Sequence, residues 1–360
     1  MAEAILKSDS HSFWSEAKKM NPKRNRLPHA MDDVKGAENI AELFSSKYDN
    51  LYNSVPYDDN IMSEVISEVN NKLVDDWDIN VTVSDFVEAM HALKSGKTDG
   101  NTGLESDHLI HGSGLLYEVL TRLINLCFMH AHMPQCINIA TIVPIPKDVK
   151  GSMMKGDNYR GIGLCSSIMK IMDIIMIMKS GGTLCTSDLQ FAYKAGHSTT
   201  MSTLVLKETV KHYNQKGSPV FSCFLDASKA FDRIRLDKLF QILVNRGFPA
   251  CFIKFLMNCY LKQDICVKWG SNASTYFKGV NGIRQGGVLS PILFTVYIDM
   301  LMDELKKCNS GCWIGHKYVG CIVYADDIVL LCPSATGLQQ MVNVCDEFGY
   351  DVAVVTTPCF

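Results

Sequence analysis

Cys321-Ile322-Val323-Tyr324-Ala325-Asp326-Asp327-Ile328-Val329-Leu330-Leu331 is the stretch that decides how this chain is read. Two apolar runs of strand-forming residues flank a pair of adjacent acids. That pattern predicts two strands joined by a tight turn, with both carboxylates at its tip. Adjacent acids among strand formers are a poor way to build a core and a good way to hold a divalent cation. A third acid, Asp226, ends another strand-like run, Val220-Phe221-Ser222-Cys223-Phe224-Leu225. Alternation sets Phe221, Cys223 and Leu225 on one face of that strand and Asp226 on the other. If the two strands are neighbours, three carboxylates meet at one sheet edge. Such a ligand set suits a two-metal phosphoryl-transfer centre, whose ions sit about 3.5–4 Å apart and clamp the attacking and leaving oxygens. An Asp-Asp pair by itself is more often a solvated turn, so the segments around it carry the weight.

The 360 residues allow one large domain or two to three small ones. A hydrophobic content of 47% with 20% charged residues describes a globular protein with a real core. The net charge of −3 gives no overall basic surface, so a nucleic-acid channel would need local positive charge. The fourteen cysteines are irregularly spaced and contain no Cys-x-x-Cys pair. They read as reduced, mostly buried thiols. With no signal-peptide pattern at the amino terminus, this predicts an intracellular protein, nuclear or cytoplasmic. His108, His111, His130 and His132 lack cysteines at zinc-finger spacing and are read as non-ligands. The apolar run from Ile168 to Met178 contains Lys170 and Asp173. It is also far shorter than the roughly 20 residues needed to cross a bilayer, and it reads as a buried helix.

Residues 1–80 read as a lead-in with a basic run through Lys18, Lys19, Lys23, Arg24 and Arg26, a helix around Ile40–Phe44 and a turn at Pro56–Asn60. A helix follows Ser84 as N-cap, with Phe86, Met90 and Leu93 on one face. Lys94–Gly103 is a glycine-rich loop without the spacing of a Walker loop. Leu116, Leu120, Leu123 and Cys127 mark the next helix. Ile142–Lys147 reads as a short strand whose prolines confine it to an edge. Met201–Lys216 is helical, with Met201, Leu204 and Val205 inward and Gly217 as the stop. Helices from Leu236 to Gly247 and from Phe252 to Leu261 precede a hairpin of Asp264–Trp269 with Ser274–Val280. Ser290 and Pro291 open a further helix as N-cap and first helical residue, and Leu338, Met341, Val342 and Cys345 mark the last.

Three segments follow one another along the chain. They are Phe224-Leu225-Asp226-Ala227-Ser228-Lys229-Ala230-Phe231-Asp232, then Gly282-Ile283-Arg284-Gln285-Gly286-Gly287-Val288-Leu289-Ser290-Pro291, then Tyr324-Ala325-Asp326-Asp327. In content and order they resemble the palm motifs of reverse transcriptases, and they look most like the non-LTR (LINE-type) retrotransposon branch. Ala325 is one reason to prefer that branch to the retroviral one. The resemblance extends to Asn158-Tyr159-Arg160-Gly161-Ile162 and to Gln190-Phe191-Ala192-Tyr193-Lys194 with Ser198-Thr199-Thr200, and covers roughly residues 80–350.

The resemblance implies an α+β right-hand polymerase. Residues 1–80 would be an N-terminal extension or linker, 81–217 the fingers and 218–360 the palm, with a small antiparallel sheet packed on helices. It implies an RNA template, a DNA primer and deoxynucleoside triphosphates as partners, and two Mg²⁺ ions, with Mn²⁺ as an alternative. Asp226 and Asp326 would be the principal ligands, while Asp327 would point elsewhere and bind less directly. Lys147 and Arg160 would meet the triphosphate. Phe231, with Ala227 beside it, would exclude a 2′-hydroxyl. Gln285 and Gly286 would approach the nucleotide, Arg284 the phosphate or a base of the template, and Tyr324 the primer end. Asp232 would support its turn.

Only 33 residues follow Asp327, and Asp351–Phe360 carry no lysine. The family usually has a lysine-bearing segment there and a thumb beyond it. The expectation is a chain truncated before the thumb. Three readings follow: an RNA-directed DNA polymerase, an inactive remnant that binds RNA, and a different palm polymerase of the group II intron or telomerase type.

Overall fold

The computed structural model describes residues 27–73, 79–98, 103–227, 229–284, 286–352 and 356–359. In chain order, strands β1 (Ala30–Met31) and β2 (Val34–Lys35) lead into helices α1 (Ala37–Tyr52), α2 (Asp59–Lys72), α3 (Val83–His91), α4 (Ser106–Ile110) and α5 (Gly114–Met129). Strands β3 (Ile139–Pro146) and β4 (Tyr159–Leu164), helices α6 (Ser167–Met178) and α7 (Thr199–Gln215) and strand β5 (Phe221–Ala227) follow. Next come α8 (Leu236–Asn245), α9 (Ala250–Leu261), β6 (Asp264–Trp269), β7 (Asn272–Ala273) and α10 (Ser290–Lys307). The short β8 (Trp313–Ile314) and β9 (Lys317–Tyr318) precede β10 (Cys321–Tyr324), β11 (Asp327–Cys332), α11 (Ala335–Val352) and β12 (Thr356–Cys359). The result is a mixed α/β fold of small sheets among helices.

Two four-stranded sheets position everything else. One runs β10-β11-β5-β12 and is antiparallel throughout. Its alternation splits cleanly. Cys223, Leu225, Cys321, Val323, Ile328 and Leu330 point into the main core with α8, α9 and α10. Ile322 and Leu331 point the other way, into a smaller cluster under Phe191, Val205, Leu206 and Tyr213. Phe221 leaves the pattern expected for its strand. It shares parity with Cys223 and Leu225 but stands at the strand end, 41% exposed.

The second sheet runs β4-β3-β6-β7. Here β3 is internal, not an edge. Its prolines are tolerated because β6 accompanies it only from Ile139 to Ile142, whereas β4 pairs with it from Thr141 to Pro146. Pro144 and Pro146 therefore lie where one side of the strand is unpaired, so the missing N–H groups break no ladder bond there. The hairpin after β6 is shorter than expected, since β7 holds only Asn272–Ala273 and one bridge, Ile265 with Phe277, continues it.

Residues 37–72 pack into the body of the fold. Phe44, Tyr48 and Tyr52 of α1 form an aromatic cluster with Tyr159, Trp269 and Phe277, in which Phe44 stacks on Trp269 at 5.4 Å. Met62, Val65 and Val69 of α2 are buried in the main core. The basic run at Lys18–Arg26 and the glycine-rich residues 99–102 lie outside the described residues.

Several ends differ from expectation. Thr82, not Ser84, caps α3, in a reciprocal capping box with Asp85. Leu289 is the N-cap of α10 and Ser290 its first residue. On α7 the inward residues are Val205, Leu206, Thr209 and Tyr213, while Met201 and Leu204 are exposed. None of the thirteen cysteines from Cys127 to Cys345 is in a disulfide, and no described helix is long and apolar enough to cross a membrane.

Candidate active site

Strands β10 and β11 close on the pair Tyr324–Asp327, which leaves Ala325 and Asp326 as a two-residue turn. Ala325 has φ +58°, and Asp326 does not share the positive sign. A positive φ at the first loop position alone suits the right-handed twist of a hairpin and ordinarily favours glycine. On the other side of β11, Asp327 pairs directly with Asp226 of β5. Directly opposed residues share a face with Cβ atoms about 4.5–5.5 Å apart. The expected neighbourhood of the two strands is thus observed, with one change. Asp327, expected to point elsewhere, stands on the same face as Asp226, and Asp326 occupies the turn beside them.

Asp226 and Asp327 are exposed and Asp326 is partly buried. Burial, followed by the negative charges of Asp327 and Asp226, raises the Asp326 carboxyl above the usual carboxylate range. Excess negative charge held among hard oxygen donors fits a divalent cation, which would relieve the repulsion. Among the described residues no three acidic, cysteine or histidine side chains close around one point. Asp226 and Asp327, being exposed, have the rotamer freedom to close on an ion.

The floor beside the acids is apolar. Phe224 lies two residues before Asp226 on the same face and is 46% exposed. Tyr324 is partly buried against the cluster under α7. Past β5 the chain passes through Lys229 at φ +55° into a single 3₁₀ turn, Ala230–Arg233. That turn sets Phe231 against Phe294 of α10, with ring centroids 4.2 Å apart and planes 13° apart. The Phe231 carbonyl accepts from Ile283 N at 3.0 Å, and the Asp232 carbonyl accepts from Asn281 Nδ2 at 2.6 Å. Phe231 is therefore a rigid, partly exposed ring, and Asp232 is buried support for the turn.

The glycine-rich loop that starts at Gly282 runs against β4. A Cβ on Gly286, whose φ is +108°, would lie 2.0 Å from the Gly163 carbonyl oxygen, so only glycine fits. Gln285 falls outside the described residues. Arg284, expected at a phosphate or a base, is instead taken up by the protein. Its Nη2 donates to Asn138 Oδ1 at 2.8 Å, and its guanidinium lies 5.2 Å from the Tyr260 ring centroid. With the side-chain oxygen of Gln263 turned toward it, Nε donates there at 2.8 Å. A partly buried guanidinium with these partners has little left for a nucleic acid.

Arg160 of β4 is exposed and has no ion-pair partner among the described residues. Lys147, also exposed, donates to the Asp157 carbonyl at 3.0 Å. The Asp157 carboxylate pairs with Lys47 at 2.5 Å, and Lys47, with Lys147 and Lys229, holds its pKa below the usual range. One exposed carboxylate therefore gathers three lysines from α1, the end of β3 and the turn after β5. Reading the sequence missed Lys47 and Lys229, because their convergence is non-local.

It also missed how the turn is held. Phe191 N donates to the Val323 carbonyl and Val323 N to the Leu189 carbonyl, both at 2.9 Å. The Gln190 side chain, 1% exposed, accepts from Ala325 N at 3.2 Å. Tyr193 is 53% exposed, and its hydroxyl is raised by burial and then by the charges of Asp326 and Tyr324.

Residues 145–355 match the family described as "Reverse transcriptase (RNA-dependent DNA polymerase)". The chain is 26% identical over 237 residues, 64% of its own length and 22% of the relative's, to the "Retrovirus-related Pol polyprotein from type-2 retrotransposable element R2DM" of Drosophila melanogaster. It is 25% identical over 226 residues, 63% and 22% of the two chains, to the corresponding polyprotein from a type-1 R2 element of Nasonia vitripennis. A match to the "Transposon TX1 uncharacterized 149 kDa protein" of Xenopus laevis is 23% identical over 343 residues, 92% of this chain and 26% of that one. The chain thus spans about a quarter of the length of the curated relatives it matches.

Proposed function

The chain belongs to the reverse transcriptase family, in its non-LTR retrotransposon branch, and we propose that it adds deoxynucleotides to a primer 3′-hydroxyl against an RNA template. We read residues 81–217 as fingers and 218–360 as palm, acting inside the cell where RNA and deoxynucleotides meet. The observation that carries this reading is the pairing of Asp327 with Asp226 beside a turn that holds Asp326.

Phosphoryl transfer of this kind asks for positioning and charge neutralisation more than for covalent chemistry from the protein. Two Mg²⁺ ions, or Mn²⁺, held by Asp226, Asp326 and Asp327 would activate the 3′-hydroxyl and neutralise charge developing on the α-phosphate. The three carboxylates orient that centre from a rigid sheet. Phe224, exposed beside Asp226, offers an apolar floor for the primer end, and Tyr324 flanks it. Arg160 suits bidentate contact with phosphate oxygens. Lys147, Lys229 and Lys47 add positive charge on the same side, in keeping with a chain whose net charge is not basic. Phe231, fixed on Phe294, suits a steric gate against a 2′-hydroxyl, with Ala227 just before it. Gly286 lets the loop on β4 come close to the nucleotide, and Gln285 would serve as a hydrogen-bonding group for it.

The test is primer extension on an RNA template with Mg²⁺, beside a chain carrying Asp326→Ala and Asp327→Ala. Extension by the parent chain that falls at least about a thousandfold in the variant supports a working polymerase. A folded parent that binds RNA but never extends a primer supports the reading as a catalytically inactive module.

A further inference from the structure

We propose that Gln190 is a positioning residue that holds the Asp326 turn in its working shape. The inference rests on the polymerase reading above and concerns a residue outside the acidic motifs.

Ala325 carries a backbone conformation that an L side chain rarely adopts, with φ +58°. A residue at such a φ costs about 1 kcal/mol or more and persists only where its surroundings enforce it. Gln190 supplies the enforcement. Its Oε1 accepts from Ala325 N at 3.2 Å and from Ala192 N at 3.0 Å. Two N–H donors converging on one atom identify that atom as the oxygen, so the amide orientation is settled by its partners. Its Nε2 is buried and has no hydrogen-bond partner. An orphaned donor in the interior is retained at a cost, and a residue chosen for packing alone would not carry it.

The loop that presents Gln190 is anchored on two helices. Lys194 Nζ donates to the carbonyls of Thr186 and Ser187 at 2.8 and 2.5 Å, closing the loop on itself. Ser187 N donates to Asp299 Oδ1 of α10 at 2.8 Å. Asp299 Oδ2 accepts from Arg246 Nη2, and the Cys185 carbonyl accepts from Arg246 Nη1, both at 2.6 Å. The turn thus takes its position from β10 and β11 and also from α10 and the end of α8, through one glutamine.

The experiment compares the full chain with Gln190→Met, which keeps the length and apolar volume but cannot accept a hydrogen bond. Amide exchange of the 321–331 segment reads the turn directly, Mn²⁺ titration by electron paramagnetic resonance reads the acidic site, and single-turnover extension separates kcat from nucleotide KM. The expected result is exchange at Ala325 at least about tenfold faster and Mn²⁺ bound at least about tenfold more weakly. kcat should drop by about ten- to a hundredfold with KM unchanged, the cost of a misplaced catalytic group. Adding Ala325→Gly to the variant should recover much of that loss, since glycine adopts positive φ without strain. Unchanged exchange at Ala325, or a loss that Ala325→Gly leaves in full, overturns the proposal. A parent chain that binds no Mn²⁺ counts against the polymerase reading instead, and the exchange measurement still judges Gln190.

Discussion

Asp326 sits where burial and two neighbouring acids all act against its charge. Its folded pKa lies above its unfolded one, so between those two values the folded chain binds more protons. Stability then falls as pH rises through that window, and the ionised Asp326 is a burden at neutral pH. Asp326→Asn should therefore raise Tm at pH 7.5 by about 1–3 °C while abolishing extension. The gain should vanish at acid pH, once the parent carboxyl has taken up its proton. Mg²⁺ should raise the Tm of the parent more than that of the variant, because an ion that binds only the folded state stabilises it by mass action. Thermal melts at both pH values, with and without Mg²⁺, check this. A Tm for Asp326→Asn below that of the parent at pH 7.5 would contradict the electrostatic account. Arg284 teaches the opposite lesson at this scale. A lone arginine in a glycine-rich loop reads as a phosphate ligand, yet Asn138, from far earlier in the chain, and Tyr260 and Gln263, from the end of α9, engage it.

Between elements, the contact that orders the approach to α10 is Asp173 of α6. Its Oδ2 accepts from Val288 N at 2.9 Å and Leu289 N at 3.2 Å, at the point where the glycine-rich loop becomes the helix. Burial pushes its carboxyl pKa up, and the charge of Arg284 opposes that rise. Removing the acceptor strands two buried N–H groups, so Asp173→Ala should cost about 2–4 kcal/mol in urea unfolding. Asp173→Asn, which keeps an acceptor oxygen, should cost clearly less. Equal losses would mean that charge, not the two hydrogen bonds, is what matters. In the sequence, Asp173 registered only as an interruption of an apolar run. Local pattern carried much else at this scale. Leu239, Phe240 and Leu243 of α8 are buried as the helical period requires, and the acidic hairpin forms where strand formers flank a turn. The failures have a common physical cause. The inner face of α7 depends on the sheet it lies against, and the prolines of β3 depend on how far β6 runs beside it. The Gly286 approach depends on Gly163, more than a hundred residues away. A Thr-x-x-Asp capping box at Thr82–Asp85 was readable and outranks Ser84.

At the scale of the molecule, the family match begins at residue 145, but the cores do not. The main cluster runs from Met62 to Cys345 without a break at 217, so the proposed division into fingers and palm leaves the core continuous. The aromatic cluster needs α1, since Trp269, 2% exposed, and Tyr159, 4% exposed, are covered by Phe44 and Tyr48. A chain beginning at residue 80 loses Phe44, Tyr48, Tyr52, Met62, Val65 and Val69 and uncovers their partners. Each such side chain contributes about 1.5–3 kcal/mol when buried, so the summed loss matches or exceeds the 5–15 kcal/mol by which a whole domain is usually stable. That shortened chain should be insoluble or melt without cooperativity, whereas one beginning at residue 27 keeps both cores and should melt cooperatively. Circular dichroism melts and size-exclusion profiles of the two decide the matter. A cooperative, monodisperse 80–360 chain would show that α1 and α2 are accessory after all, and that the acidic sheet can stand on a core built from the matched region alone.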